Sequence, residues 1–214
     1  QETPLYLQTS PEFPLKRLLA AGSGAIYQLG KVFRNEEPSA QHSPEFTMLE
    51  WYQPDFTLDQ LMAEVEQLVT EAIAHLNRSA DLVQSAFPRL TYRQLFLQHQ
   101  GIDPHRASDE AIAELVQTRI DLEAVGLSRT DRLQLLLSHC IEPHLPSACF
   151  ITDYPAAQAA LARVEKDSEG DLVARRFELF INGMELANGY FELTDAAEQR
   201  RRAEETLTLL AAAQ

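Results

Sequence analysis

The sequence predicts an α+β fold, an antiparallel β-sheet flanked by helices, and three observations carry that reading. Aromatic and aliphatic runs bounded by Pro, Gly and Ser recur as strands toward both ends of the chain. Between them, from about residue 57 to 145, the hydrophobic period becomes that of helices. Asn182-Gly183 then joins two further strand-like runs, and this dipeptide supplies the positive φ angles of a type I′ hairpin turn.

Residues 4–8, 25–36 and 45–53 read as strands, and PEFPLKRLLAAG between the first two reads as a short helix ended by Gly22. Thr57 and Gln60 form a capping box, followed by Leu58, Leu61, Met62, Val65, Leu68, Val69, Ala72, Ile73 and Leu76 at helical spacing. This long amphipathic helix is expected to pack its stripe on the sheet. Thr91 with Gln94 repeats the capping signal, Ser108 opens a third helix, and a fourth runs through Leu133, Leu136, Leu137 and Ile141. Strand character returns in ACFITDYP and from Leu172 to Leu193, and the final segment, DAAEQRRRAEETLTLLAAAQ, reads as helix. With no internal repeat or low-complexity linker, 1–214 is expected to be one domain with a mostly helical insertion at about 57–145.

The chain has 214 residues, long enough for one sizeable core. Its formal charge of −14 repels polyanions on average and disfavours broad nucleic-acid binding. No apolar run approaches the roughly 18–20 residues of a membrane span, so no membrane partner is expected. Cys140 and Cys149 have neither disulfide-scaffold density nor zinc spacing, and a reducing cytoplasm is the simplest location. The chain opens QETPLYLQTS without an initiator Met, and a fragment of a longer protein is expected.

Two hairpins carry polar groups within apolar strands. In FRNEEPSAQHSPEFTMLEWY and the run before it, alternation puts Tyr27, Leu29, Phe33, Thr47, Leu49 and Trp51 on one face. Gln28, Arg34, Glu36, Phe46, Met48, Glu50 and Tyr52 fall on the other. The first set reads as core. The second fits two descriptions equally, a pocket floor or a surface salt bridge worth about 0–1 kcal/mol. In FELFINGMELANGYFEL, the turn pairs Phe180 with Glu185, making Glu178 and Glu185 diagonal neighbours with Cα atoms roughly 7–8 Å apart. They either flank a hard cation such as Mg²⁺ or are solvated on an edge strand. Strict alternation separates Glu185 from Asn188, Tyr190 and Glu192, so a single site requires a bulge near 187–189.

The stretch FRNE, its loop and HSPEFTMLE resemble motif 2 of the class II aminoacyl-tRNA synthetases. TSPEFPLKRLLAAG, FITDYPAAQAALAR and FELFINGMELANGYFELTDAAEQ extend the likeness to the lysyl group. Ser10-Pro11-Glu12 and Glu50-Trp51-Tyr52-Gln53-Pro54 make it most similar to the short paralogue that attaches β-lysine to elongation factor P. The resemblance implies a class II catalytic-domain fold lacking motif 1 before residue 1 and motif 3 after 214. It implies ATP-dependent activation of (R)-β-lysine or lysine to an adenylate, followed by transfer to a lysine side chain of elongation factor P.

By the same resemblance, Arg34 is catalytic on the α-phosphate, and ATP contacts Arg34, Asn35, Glu36, His42, Ser43, Phe46, Glu185 and Leu186. The family commonly has Asn where Ser43 stands. The amino acid contacts Ser10, Pro11, Glu12, Glu50, Tyr52, Asn188, Tyr190 and Glu192, and Mg²⁺ is held by Glu178 and Glu185. A homodimer is implied for the full-length protein. Two other readings stay open: a lysyl-tRNA synthetase fragment charging tRNA, which the acidic balance makes the weaker, and a non-catalytic module binding lysine or nucleotide.

Overall fold

A computed structural model describes residues 5–35, 42–76, 86–121 and 126–212, with side chains through 208. The chain divides into two compact units, Gln1–Phe56 and Thr57–Gln214.

In the first unit, helix α1 (Glu12–Ala20) starts behind Pro11, whose carbonyl accepts from the Leu15 amide at 3.0 Å. Glu12 in its first turn and Arg17 in its last complement the helix dipole. Gly22, at φ +90°, ends it: Gly22 N–H donates to the Leu19 carbonyl and Ser23 N–H to that of Leu18, a Schellman closure. Strands β1 (Ile26–Phe33) and β2 (Glu45–Tyr52) pair antiparallel, with Tyr27 opposite Trp51 and Gln28 opposite Glu50. The two sets of side chains are therefore separated as alternation requires.

Their burial is the reverse of the expectation. Tyr27 and Leu29 are 73% and 66% exposed, whereas Val32, on the polar set's face, is 1% exposed. The mixed face is thus the half-buried one. The expected strand at 4–8 is also absent among the described residues: the segment runs extended, and touches β1 where Phe33 N–H donates to the Gln8 carbonyl at 2.9 Å.

The second unit opens with α2 (Leu58–His75), whose Thr57/Gln60 capping box forms as expected. A three-residue strand, β3 (Arg89–Thr91), precedes α3 (Tyr92–Gln100), where the Thr91/Gln94 box also forms. Ser108 caps α4 (Asp109–Ile120), and Ser128 with Asp131 caps α5 (Arg129–Leu136). The chain then passes through a π turn at Leu137–Ile141 and a 3-10 turn at Glu142–His144 into β4 (Ala148–Pro155). Strands β5 (Val164–Lys166), β6 (Leu172–Ile181) and β7 (Met184–Tyr190) and helix α6 (Ala196–Ala212) complete the unit.

The strand order is β3-β4-β6, with β5 and β7 sharing the far edge of β6. One pair departs from the expected antiparallel sheet, because β3 runs parallel to β4. A parallel neighbour needs a long crossover, and α3, α4 and α5 provide it. One sheet face buries Cys149, Ile151, Tyr154, Ala174 and Phe180 in a core with residues of α3, α4 and α5. On the other, Phe150 meets Phe87 and Phe177 at ring separations of 6.2 and 5.4 Å, and α2 lies against β6 and β7.

Arg93, 6% exposed, binds this architecture across sequence. It donates to Asp103 and Asp167 at 2.9 Å, to Glu169 at 2.5 Å and to Asp171, tying α3 to the β5–β6 turn. Oxygens of Asp103, Glu169 and Asp171 lie within 4.8 Å of one another, and Arg106 adds a second guanidinium to them. Removing the buried Arg93 guanidinium leaves Asp103, Asp167 and Asp171, all largely shielded, with Arg106 as their remaining guanidinium, so Arg93→Ala is expected to cost about 3–5 kcal/mol in urea unfolding. A loss below 1 kcal/mol would show the cluster to be solvated.

Gly189 sits opposite Phe177, and a Cβ there would lie 2.4 Å from the ring. Phe177 is 1% exposed and has no room to retreat. Gly189→Ala is expected to destabilise by about 1–3 kcal/mol and to displace β7, with amide exchange accelerated along residues 184–190 and not along α4.

Candidate functional site

In the first unit the mixed face of the hairpin is organised around Glu50. Its carboxylate accepts from Ser10 Oγ at 2.7 Å and from Tyr52 Oη at 2.8 Å, one donor on each oxygen. Ser10 Oγ in turn accepts from the Glu12 amide at 3.0 Å, which fixes the entry to α1 behind Pro11. Glu12 carries Lys16 at 2.7 Å. Among the described residues this half-buried carboxylate receives hydroxyl donors alone, and each oxygen keeps a lone pair for a further donor such as an ammonium group. Ser10, Pro11, Glu12, Glu50 and Tyr52, read separately from the sequence, are thus brought together.

Arg34 leaves the end of β1 exposed, its amide donating to the Pro44 carbonyl at 2.9 Å. Its Nε donates to the Thr9 carbonyl at 3.4 Å, and its guanidinium lies 5.4 Å from the Phe46 ring centre. A permanent planar cation beside an aromatic plate is a chemically apt pair for a nucleotide's phosphate and base. Asn35, His42 and Ser43 are exposed near it in sequence, and Glu36 lies outside the described residues.

In the second unit the site face of β6 carries Arg176, Glu178 and Phe180. The hairpin turn forms as read, with Asn182 at φ +51° and Gly183 at +75°, pairing Ile181 with Met184 and Phe180 with Glu185. The bulge exists but lies earlier than expected. Register shifts at Leu186, so that Leu179 faces Ala187 and Glu178 faces Asn188, and pairing is regular from 187 to Tyr190, opposite Arg176. Gly189 serves the close approach to Phe177 instead. One extra residue puts Glu185, Asn188 and Tyr190 on one face with Glu178 and leaves Leu186 without a partner in the register. Glu192 follows in an isolated bridge to Ala162.

A second irregularity was not legible in the sequence. Between Thr152 opposite Phe177 and Tyr154 opposite Ala174, register shifts at Asp153, whose φ is +54° and whose carboxylate pairs with Arg175 at 2.7 Å. Tyr154 is thereby turned onto the face of Glu178, and its hydroxyl donates to Glu178 Oε2 at 2.6 Å. Arg176 donates to the other oxygen of Glu178. Position 176, two before Glu178 in a strand, is a same-face signal that alternation offers; Tyr154 could be found only with the register known.

The electrostatics of this face favour a cation. Burial, then the Glu178 carboxylate, push Glu185 up to about 7, although Glu185 keeps surface in solvent. Burial and Glu178 also raise Glu142, which arrives from the 3-10 turn. Glu178 and Glu142 thus both act on Glu185, against the single guanidinium of Arg176. An oxygen-ligated divalent ion fits that donor set, and Glu178 and Glu185 are the residues that would hold it.

A family model for class II tRNA synthetases (D, K and N) matches residues 1–211. The chain is 46% identical over 206 residues to the elongation factor P--(R)-beta-lysine ligase of Edwardsiella ictaluri, covering 94% of this chain and 60% of that protein. It is 48% identical over 205 residues to the protein of the same name from Proteus mirabilis, covering 94% and 59%. For that of Yersinia enterocolitica the identity is 46% over 206 residues, covering 94% and 60%. The chain therefore spans about 60% of the length of the curated relatives it matches. With a family match along nearly its whole length, the chain belongs to the class II tRNA synthetases of the D, K and N group.

Proposed function

We propose that this chain carries the ATP-dependent activation of (R)-β-lysine, or lysine, and that the activated acyl group passes to a lysine side chain of elongation factor P. The activation half is carried by one observation, the Glu50 carboxylate clamped between Ser10 and Tyr52 hydroxyls and left with lone pairs for an ammonium group. The acceptor half is supported by the names of relatives 46–48% identical over 94% of the chain.

In this reading Arg34 binds the α-phosphate bidentately and stabilises the charge that develops there as the substrate carboxylate attacks phosphorus and pyrophosphate leaves. Phe46 stacks on the adenine, and Asn35, Glu36, His42 and Ser43 line the nucleotide. Glu50, oriented by Ser10 and Tyr52, takes a substrate ammonium, with Pro11 and Glu12 shaping the approach. Asn188, Tyr190 and Glu192 complete the contacts to the amino acid. Mg²⁺, when bound, neutralises phosphate charge; Glu178 and Glu185 hold it and Leu186 adds a backbone contact to ATP. No covalent enzyme intermediate is needed, because positioning and electrostatics supply the catalysis. Residues 1–214 work as one catalytic domain with its helical insertion at 57–145, in a cytoplasmic protein that dimerises at full length.

Labelled lysine offered with ATP to elongation factor P and to tRNA in parallel tests the acceptor. Label on elongation factor P is expected; label on tRNA alone assigns the chain to the tRNA-charging reading. Arg34→Ala is expected to slow ATP-pyrophosphate exchange roughly 10²- to 10³-fold. Exchange at the unaltered rate removes Arg34 from the chemistry.

Glu185 gives a pH signature. Its folded pKa of about 7 lies above the ordinary 4.5, so the folded state holds a proton that the unfolded state has released. Its contribution to stability is full below pH 4.5 and is lost as pH rises through 7. Compared with Glu185→Gln, the metal-free protein is expected to lose stability across that window, read as denaturant midpoints at pH 4.5, 6 and 8. Parallel pH profiles would place Glu185 in ordinary solvent.

A further inference from the structure

Glu178 is the most constrained carboxylate on the face of β6. Its two oxygens are taken from opposite sides, Oε2 by the Tyr154 hydroxyl at 2.6 Å and Oε1 by Arg176. The clamp is itself braced. The Arg176 guanidinium lies 4.6 Å from the Tyr154 ring centre, and its Nη1 donates to the Gln158 carbonyl at 3.1 Å. The Tyr154 ring lies 5.0 Å from that of Tyr92, in the buried core. Tyr154 is 1% exposed, and the Arg176 and Glu178 side chains are 15% and 12% exposed.

None of this is a default of the fold. Regular pairing of β4 with β6 would turn Tyr154 to the opposite face; only the shift at Asp153 brings it round. A clamp made merely to bury charge would neutralise the whole cluster. Here one guanidinium and one neutral hydroxyl hold Glu178, while among the described residues Glu185 has an amide hydrogen bond from Asn188 but no ion pair, and Glu142 has no ion pair either. Each Glu178 oxygen accepts one hydrogen bond and retains a lone pair, with no freedom to rotate it away.

We infer that Tyr154 and Arg176 are positioning residues that hold Glu178 in the orientation from which it ligates a divalent cation bound with ATP. The inference rests on the proposed role of Glu178 and Glu185 as ligands. Partners of this kind around a ligating carboxylate typically carry 10- to 100-fold in metal affinity.

The test is a Mn²⁺ titration followed by electron paramagnetic resonance, with a non-hydrolysable ATP analogue at saturation, beside melting of the metal-free protein. Tyr154→Phe keeps the ring and deletes only the hydroxyl; Arg176→Lys keeps the charge and loses the planar stack. Each is expected to weaken Mn²⁺ binding about 10- to 100-fold with the ATP analogue still bound. An unchanged Mn²⁺ Kd in Tyr154→Phe, whatever its melting temperature, overturns the inference and leaves the hydroxyl a packing contact. Glu178→Gln and Glu185→Gln in the same titration separate the two failures. If both glutamine variants also bind Mn²⁺ normally, the metal reading itself falls; if they lose it and Tyr154→Phe does not, only the positioning role falls.

Discussion

A β-strand sends successive side chains to opposite faces, and this constraint governs everything the second unit can assemble. On β6, position 178 shares its face with 176 and 180. A neighbouring strand in perfect register would supply that face with every second residue and no others. Two single-residue shifts release the structure from that limit. The one at Leu186 gathers Glu185 with Asn188 and Tyr190; the one at Asp153 adds Tyr154. Each costs ladder regularity and is secured locally, by the Asn182-Gly183 turn in one case and by the Asp153–Arg175 ion pair in the other.

The first unit meets the same alternation differently. Its hairpin stays in register throughout, so the two sets of side chains keep to their faces, with Lys31 and Glu45 paired on the exposed one. The mixed face is the half-buried one, and its buried-side charge is answered there: Glu50 accepts from two hydroxyls. An apolar hairpin can carry ionised groups inward when each has a fixed donor, and the strand's rigidity then becomes the precision of the site.

Much of this was legible from residues alone, and the reasons are physical. Capping boxes at Thr57 and Thr91, the Ser108 cap and the Asn182-Gly183 turn are local signals whose hydrogen bonds close within a few residues. Glu178 and Glu185 could be paired on paper because the turn sets their register. The position of the bulge could not. Gly189 attracted it, yet that glycine answers the Phe177 ring on the facing strand, a contact between residues 12 apart that no local pattern encodes. Tyr154 and β3 escaped for the same reason, since each is defined by a partner strand remote in sequence. The exposed face of Tyr27 and Leu29 shows the converse error: apolar character marks a surface that can be buried, not what covers it.

Arg93 and Arg176 gather carboxylates in two different ways. Around Arg93, Asp103, Asp167, Glu169 and Asp171 are met by two guanidinium groups, and Asp171 is held below its ordinary pKa by its bonds to Arg93 and Arg106. That cluster is satisfied, and its product is a turn fixed to a helix. Around Arg176 the pairing is incomplete. Glu178 is held, while Glu185 and Glu142 are both raised, each by burial first and by Glu178 next. A folded protein keeps such a deficit only against repulsion, and it becomes an asset when a divalent cation supplies the missing charge. The same residue types, gathered by the same sheet, thus differ in how they are partnered: each carboxylate around Arg93 meets a guanidinium, whereas around Arg176, among the described residues, only Glu178 does.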